Sequence, residues 1–481
     1  MSEIELKFQI PVTHKKALLA AVAKQQCTPM HLVAKYYDTP EHSLAQHKIS
    51  LRQRLENKVW KQTLKAPSEH AIQRFELDLT LKKQPKYINL DLYQDYPQIQ
   101  KKLKRVLKDS QPLALQFSTD VQRQTFDIIQ SKSCIEVALD QGLLKTKQQH
   151  TKISEIEFEL KHGSIQDLLK AIQPWIQEYG IYLDIQTKAE RGYALDAGFS
   201  EGATYQTDFY LDQNISSDHA LRKMVNHCLL HLLPNASAIA RGHYIPEHIH
   251  QTRVAIRRLR TAFKTFAKWT KTDLSHYQNA LKTLFQHLSS TRDQDALAES
   301  LIPALKSIGS PITVLPYHQH DPIDLIALFR AAETNLLWLS LIEFSQIQQI
   351  KPQKCNLKNM AKQRIVQLHQ QIIAPHEDFL NLADEEKHRI RKKVKQLRYS
   401  VEFSRSLFNP QQVKSYLKAL KPLQEVLGQF NDLVVAEQLI RPAIKKQAKY
   451  WFVLGWLKSQ QQHILQQAHA ALQHFYQHGR F

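Results

Sequence analysis

This 481-residue chain has few long hydrophobic runs. The stretch Met224 to Ala240 is interrupted by Asn226, His227, His231 and Pro234, and no uninterrupted apolar run reaches membrane-spanning length. A membrane protein is therefore not expected. Cysteine is scarce too. Cys27, Cys134, Cys228 and Cys355 lack CxxC spacing, which argues against a cysteine zinc site and for a reducing compartment. The first residues already alternate like a strand, so no secretory signal is expected and the predicted setting is cytoplasmic. Negative charge is in deficit: the formal net charge is +20 and the pI about 9.5. That balance points to an anionic partner such as nucleic acid, anionic lipid or polyphosphate. The 43% hydrophobic content is ordinary for a globular protein, and the length allows two or more domains.

In the first half, Glu3, Glu5 and Lys7 alternate with Ile4, Leu6 and Phe8. Successive strand side chains point to opposite faces, so one face is apolar and the other charged. The pattern recurs. Arg52 and Arg54 share a face, as do Lys61, Thr63 and Lys65, and then Arg74, Glu76 and Asp78. Further strands are predicted over 115–124, 124–130 and 133–139, the last with Glu136 on the polar side. Residues 153–161 set Glu155, Glu157 and Glu159 against Ile156, Phe158 and Leu160. Helices are expected near 14–25, 98–108 and 164–179. The apolar faces need cover, and these helices can supply it. A sheet closed on its charged faces makes a polar-lined barrel. Basic groups there suit phosphate oxygens, and neighbouring carboxylates suit Mg²⁺ or Mn²⁺. An open sheet facing water is the alternative, but the repetition of both charges on one parity argues against it.

This ordered set resembles the CYTH group of triphosphate tunnel metalloenzymes. The resemblance is carried by Glu3-x-Glu5-x-Lys7, Tyr37-Asp38-Thr39-Pro40, Leu51-Arg52-x-Arg54, Lys61-x-Thr63-x-Lys65, Arg74-x-Glu76, Ser154-Glu155-Ile156-Glu157-Phe158-Glu159 and Lys188-x-x-Arg191-Gly192-Tyr193. It implies an eight-stranded antiparallel β tunnel with flanking helices over residues 1–200. It also implies that Glu3, Glu5, Glu157 and Glu159 hold the metal. Lys7, Arg52 and Arg54 would act on the reacting phosphate. Lys61, Lys65, Arg74 and Arg191 would bind the rest of the chain, with Arg123 and Lys188 as further substrate contacts. Glu76 and Glu136 are the candidates for positioning water or a second metal.

Residues 201–217 read as a linker, and 218–481 as almost wholly helical with little glycine. An internal repeat lies here. His250, Arg253, Arg257 and Arg260 recur as His388, Arg391, Lys395 and Arg398 in the pattern H-x-x-R-x-x-x-[RK]-x-L-R. At about 100° per residue these positions share roughly one quadrant of a helix, with the leucine opposite. Arg292-Asp293-x-Asp295 and Asn431-Asp432 follow the two copies, which predicts a duplicated helical bundle. A solvated face would mix signs; a stripe of one sign suits an anion laid across it. No His-x-x-x-His pair sits on the stripes to suggest a metal. This half resembles the CHAD domain, which implies binding of inorganic polyphosphate.

The expectation is a multidomain protein, α+β then all-α. It would be a metal-dependent inorganic triphosphatase with a polyphosphate-binding helical domain. The alternatives are a thiamine triphosphatase or adenylyl cyclase on the same tunnel, or a non-catalytic polyphosphate binder. Nucleic acid is disfavoured, because no aromatics interleave the stripes.

Overall fold

The computed structural model describes residues 2–68, 70, 72–83, 87–107, 112–195, 202–312, 323–346, 356–445, 447–479 and 481; the side chains of Ser2, Arg74 and 289–300 are outside that description. Cys355 also lies outside it. Two compact units are present: Met1–Gln206 with Leu229–Thr252 and Leu325–Gln346, and Thr207–Cys228 with Arg253–Asp324 and Ile347–Phe481.

The first unit is built on nine antiparallel strands: β1 Ser2–Gln9, β2 Thr28–Asp38, β3 Ser50–Glu56, β4 Val59–Pro67, β5 Gln73–Leu81, β6 Ala114–Gln130, β7 Ser133–Lys145, β8 His150–His162 and β9 Tyr182–Leu183. Their order is β5-β4-β3-β2-β6-β7-β8-β1-β9. The count corrects the expected eight. The extra strand is the two-residue β9, which pairs with Phe8 and Gln9 at the end of β1. A further pairing joins β1 to β5 through Ser2↔Phe75, Glu3↔Arg74 and Ile4↔Gln73. The two strands expected over 115–130 are one continuous strand, because the alternation runs through Gln124 without a turn residue.

The helices are α1 Lys15–Ala23, α2 Ser43–Gln46, α3 Pro97–Val106, α4 Ile165–Tyr179, α5 Lys188–Leu195, α6 Ser217–Arg241, α7 Pro246–Thr265, α8 Ser275–Ser307, α9 Leu325–Arg330, α10 Ala332–Gln346, α11 Leu357–Ile373, α12 Asp384–Ser404, α13 Pro410–Ile444 and α14 Tyr450–His478. None is long and apolar enough to cross a membrane, among the described residues. Residues 202–216 carry no helix or strand.

Sequence explains the local fits. The Ser164 hydroxyl accepts from the Asp167 amide at the start of α4, and Gly180 closes it in a left-handed conformation at φ 59°. The Asp38 carboxylate, fully buried, accepts from the amides of Thr39, Leu44 and Ala45, tying the end of β2 to α2. α5 rests on β6 at Gly192, where a Cβ would lie 2.4 Å from the Phe117 ring. The apolar parity of the strands is buried as expected: Leu6, Phe8, Val137, Leu139, Ile156 and Phe158 are all at most 2% exposed. Burying each such side chain contributes roughly 1.5–3 kcal/mol. Everything on the opposite parity of β1, β3, β4, β5, β7 and β8 is thereby aimed at one charged face.

In the second unit Leu305, Ala436, Ile440, Val453 and Leu457 form a buried cluster on α8, α13 and α14. The first basic stripe lies on α7 and the second on α12; their companion motifs lie on α8 and α13. The Arg292, Asp293 and Asp295 side chains are outside the described residues.

Candidate functional sites: a charged sheet face and a basic helical cavity

Strand register assembles the first site. Glu136, Glu159 and Glu5 stand in one row across β7, β8 and β1. Glu157 and Lys7 form the next row, then Asp140, Glu155 and Gln9. Across β3, β4 and β5 the rows are Arg54–Lys61–Thr80, Arg52–Thr63–Asp78 and Ser50–Lys65–Glu76.

Two kinds of carboxylate cluster result. Asp140, Glu155 and Glu157 present oxygens within 4.8 Å of one another, close enough to share a metal. Protein cations already fill that space. Lys188 Nζ lies 2.8, 2.6 and 2.7 Å from the three carboxylates in turn. Arg123 Nε reaches Asp140 at 2.6 Å and its other end touches Glu157. Arg191 and Lys7 reach Glu155 at 3.1 and 3.3 Å. Despite burial, Lys188 and Arg123 hold Glu157 well below the usual carboxylate range. Lys188 and Lys7 likewise outweigh burial at Glu155 and lower it.

The second cluster is short of positive charge. Lys65 Nζ is shared among Glu76 at 2.6 Å, Glu3 at 3.1 Å and Glu5 at 3.8 Å. Burial and a hydrogen bond with Glu76 push Glu3 up to about 9. Burial and the nearby Glu157 also raise Glu5. Glu76 stays ionised: despite burial, the Glu3 hydrogen bond, Lys65 and Arg52 hold it low. Glu3 and Glu76 thus share a proton where a cation would serve both. An all-oxygen donor set with unmet negative charge fits a hard divalent ion such as Mg²⁺ or Mn²⁺.

The remaining expected residues divide. Arg52 meets Glu76 at 3.3 Å; Arg54 meets Glu56 at 2.9 Å and Asp78 at 3.7 Å; Lys61 meets Glu56 at 3.1 Å. Glu136 and Glu159 are bridged by Lys161 at 3.0 and 2.8 Å, toward the more exposed end of the face. Arg74 keeps its register position opposite Glu3 and Pro67, but its side chain lies outside the described residues. Sequence reasoning left Asp140, Glu155 and Asp184 without a role. Asp140 shares parity with Glu136 and could have been found by extending that alternation. Glu155 is the first carboxylate of its own motif. Asp184 follows a two-residue strand and has no such signal. A cavity lined by Glu5, Lys7, Arg52, Lys65, Glu157, Asp184 and Lys188 occupies the middle of this face.

The second site is a cavity of about 690 Å³ within the second unit. It brings the two stripes together: Arg253, Arg257 and Arg260 from α7 with His388, Arg391 and Lys395 from α12. Lys264, Lys282 and Lys392 add charge that the repeat did not single out, and Asp432 is the one carboxylate among the described lining residues. The guanidinium carbons of Arg253, Arg257 and Arg260 lie 5.6, 5.5 and 5.4 Å from the centre of the Phe285 ring. That ring tethers three like charges by cation–π attraction. His388 Nδ1 is 2.9 Å from Asn431 Oδ1, joining the second stripe to its companion motif. Burial, then Arg257 and Arg391, push Lys395 down to about 7. His250 falls in the Leu229–Thr252 segment of the first unit and is not among the described lining residues. Arg398 pairs instead with Glu402 at 2.8 Å.

Comparison with known proteins assigns a family to each half of the chain. The CYTH domain family matches residues 1–193, and the CHAD domain family matches 223–441. The chain is a CYTH domain followed by a CHAD domain. An inorganic triphosphatase of Haemophilus influenzae is 36% identical over 203 residues, 40% of this chain and 55% of that protein. The chain thus spans about half the length of that relative. Among solved structures, the CHAD domain of the plant Ricinus communis is 26% identical, with 57% of this chain and 97% of that one covered and a TM-score of 0.44. A Hippeastrum protein described as a candidate adenylyl cyclase with dominant triphosphatase activity is 14% identical, with 42% and 100% covered and a TM-score of 0.28. The CHAD match begins within α6, so the Leu229–Arg241 part of that helix belongs to CHAD by sequence and to the first compact unit by packing.

Proposed function

We propose that the CYTH domain is a metal-dependent inorganic triphosphatase and that the CHAD domain binds inorganic polyphosphate through its basic cavity. The observation that carries the first half is the carboxylate cluster of Glu3, Glu5 and Glu76 around a single lysine, beside a bank of paired arginines and lysines. The β1–β5 pairing supports a closed tunnel around this face. Residues 1–200, 201–217 and 218–481 serve as tunnel domain, linker and helical domain in this reading.

Every described cation in the middle of the face is engaged by a carboxylate. A triphosphate alone would take the cations and leave those carboxylates unneutralised. A triphosphate arriving with a divalent ion exchanges both sets at once, so substrate and metal bind together. Glu3, Glu5 and Glu76 would hold the ion, joined by Glu157 and Glu159 once a phosphate chain draws off the cations now paired with them. When bound, such an ion polarises a phosphoryl oxygen and lowers the pKa of water. Arg52, Arg54 and Lys7 would hold the oxygens where charge develops, and Lys61, Lys65, Arg74, Arg123, Lys188 and Arg191 the rest of the chain. Glu76 and Glu136 are the carboxylates available to orient water.

One observation favours a second reading. A cavity of about 400 Å³ shares Ser50, Lys65, Ile185, Thr187 and Ala189 with the charged one, and is walled in part by Ile49, Pro67, Tyr193 and Leu229. It would house the organic part of thiamine triphosphate or a nucleoside triphosphate. Phosphate release from inorganic triphosphate, thiamine triphosphate and ATP, with Mg²⁺ or Mn²⁺ and with EDTA, tests the assignment. Inorganic triphosphate is expected to be turned over best, and EDTA to stop it.

Polyphosphate binding by the CHAD domain carries a pH signature. A lysine pushed down to about 7 is half neutral near pH 7. Arg257, Arg391 and Arg253 face it and disfavour its charge, while Asp432 favours it. A bound phosphate favours the ammonium, so binding takes up a proton above pH 7. Affinity is expected to fall by up to about tenfold per pH unit above 7, while below pH 6 Lys395 is fully charged and adds no pH dependence. Titration of long-chain polyphosphate across pH 6–9 measures this. Lys395→Arg is expected to flatten the profile; an unchanged profile contradicts the assignment to Lys395.

A further inference from the structure

Lys7 of the sheet face is held from behind. Asp184, fully buried, donates its amide to the Lys7 carbonyl at 2.9 Å, and its carboxylate lies 3.3 Å from Lys7 Nζ. Arg241 Nη1, at the C-terminal end of α6, lies 2.9 Å from the other oxygen of that carboxylate. Gln9 Nε2 at 2.9 Å and the Gln186 amide at 3.0 Å complete its donors. The backbone around Asp184 is fixed from the same part of the chain. The Leu183 amide donates to Asn335 Oδ1 at 2.8 Å and the Ile185 amide to Ser237 Oγ at 3.1 Å. Arg241, Ser237 and Asn335 all lie within the CHAD match, yet they pack in the first unit.

Two cations therefore share Asp184, one from each domain. A buried carboxylate needs compensation. With Arg241 present, Asp184 is neutralised without Lys7 giving up its charge. With Arg241 removed, Lys7 is the remaining cation paired directly with Asp184, Arg191 acting more weakly, and is drawn from the sheet face toward it. We propose that Arg241 is a positioning residue for the CYTH site: it neutralises Asp184 so that the Lys7 ammonium stays available to a phosphate oxygen. The CHAD sequence thereby completes the site of the preceding domain. Within the CYTH match Arg191 also favours the Asp184 carboxylate, but by less than Arg241 does.

The inference rests on the triphosphatase reading for its activity readout, so a binding readout accompanies it. Arg241→Met in the full chain is expected to lower kcat/KM for inorganic triphosphate about tenfold, leaving the metal concentration for half-activation unchanged. Affinity for the non-hydrolysable imidotriphosphate with Mg²⁺, measured by calorimetry, is expected to weaken severalfold. Arg241→Lys restores both. Asp184→Asn combined with Arg241→Met is expected to recover most of the loss, because the carboxylate competing for Lys7 is gone. Ser237→Ala and Asn335→Ala remove the backbone anchors but no charge, and are expected to stay near wild type in both readouts. Thermal melts of every variant separate loss of fold from loss of position. Wild-type behaviour of Arg241→Met overturns the inference. So does a double variant as impaired as the single one, or a loss in Ser237→Ala matching that in Arg241→Met, since either indicates an anchor and not a charge. If the wild type turns over no triphosphate, the triphosphatase reading fails, and the calorimetric comparison decides the role of Arg241 by itself.

Discussion

Glu5→Ala is expected to reduce phosphate release from inorganic triphosphate by about 100- to 1,000-fold, the order found when one group stabilising developing charge is removed. The reason lies in the cluster. Glu3, Glu5 and Glu76 share one lysine, and the proton held between Glu3 and Glu76 marks negative charge the protein itself does not balance. A divalent ion supplies that balance, and Glu5 is central to its donor set. Stability is not expected to suffer. Burial and Glu157 already disfavour the Glu5 carboxylate, so its loss relieves repulsion in the ligand-free protein. The melting temperature should hold or rise slightly, and polyphosphate binding by the CHAD domain should be unchanged. Loss of both activities in this variant would contradict two independent sites.

The complementary substitution is Arg253→Glu with Arg391→Glu. One residue comes from each stripe, and both line the 690 Å³ cavity. Each reversal turns an attraction for a phosphate into a repulsion. At about 5 Å and an effective dielectric near 20 that is roughly 3 kcal/mol per unit charge before reversal is counted. Even after discounting for solvent and salt, long-chain polyphosphate affinity should fall more than about 100-fold, and the residual binding should lose much of its salt dependence. Triphosphate turnover should be unaffected. Unchanged polyphosphate binding would remove the cavity from the account.

The charged face was legible because strand alternation has a period of two: once Leu6 and Phe8 are assigned to the core, Glu5 and Lys7 have only one side to occupy. The same logic found Arg52, Arg54, Lys61 and Lys65, and would have reached Asp140 had it been carried past Glu136. Asp184 was not legible, since two strand residues set no period, and its partner Arg241 lies 57 positions away. Nor did the sequence separate the two carboxylate clusters. Glu157 and Glu3 look alike in their motifs, and only the positions of Lys188 and Arg123 reveal that one is neutralised and the other is not. The helical repeat was readable for its four-residue rhythm. Arg253, Arg257, Arg391 and Lys395 converge as the pattern implied, while Arg398, at the end of its stripe, turns to Glu402. Phe285, which gathers three guanidiniums, sits on a separate helix with no motif to mark it.

The central claim is a metal-dependent triphosphatase, and its most direct measurement is phosphate release by the full chain from inorganic triphosphate, with thiamine triphosphate, ATP and long-chain polyphosphate alongside. The expected result is rapid release from inorganic triphosphate with Mg²⁺ or Mn²⁺, slow release from the others, and none with EDTA. Release that persists in EDTA, or no release from any of them beside tight polyphosphate binding, would contradict it.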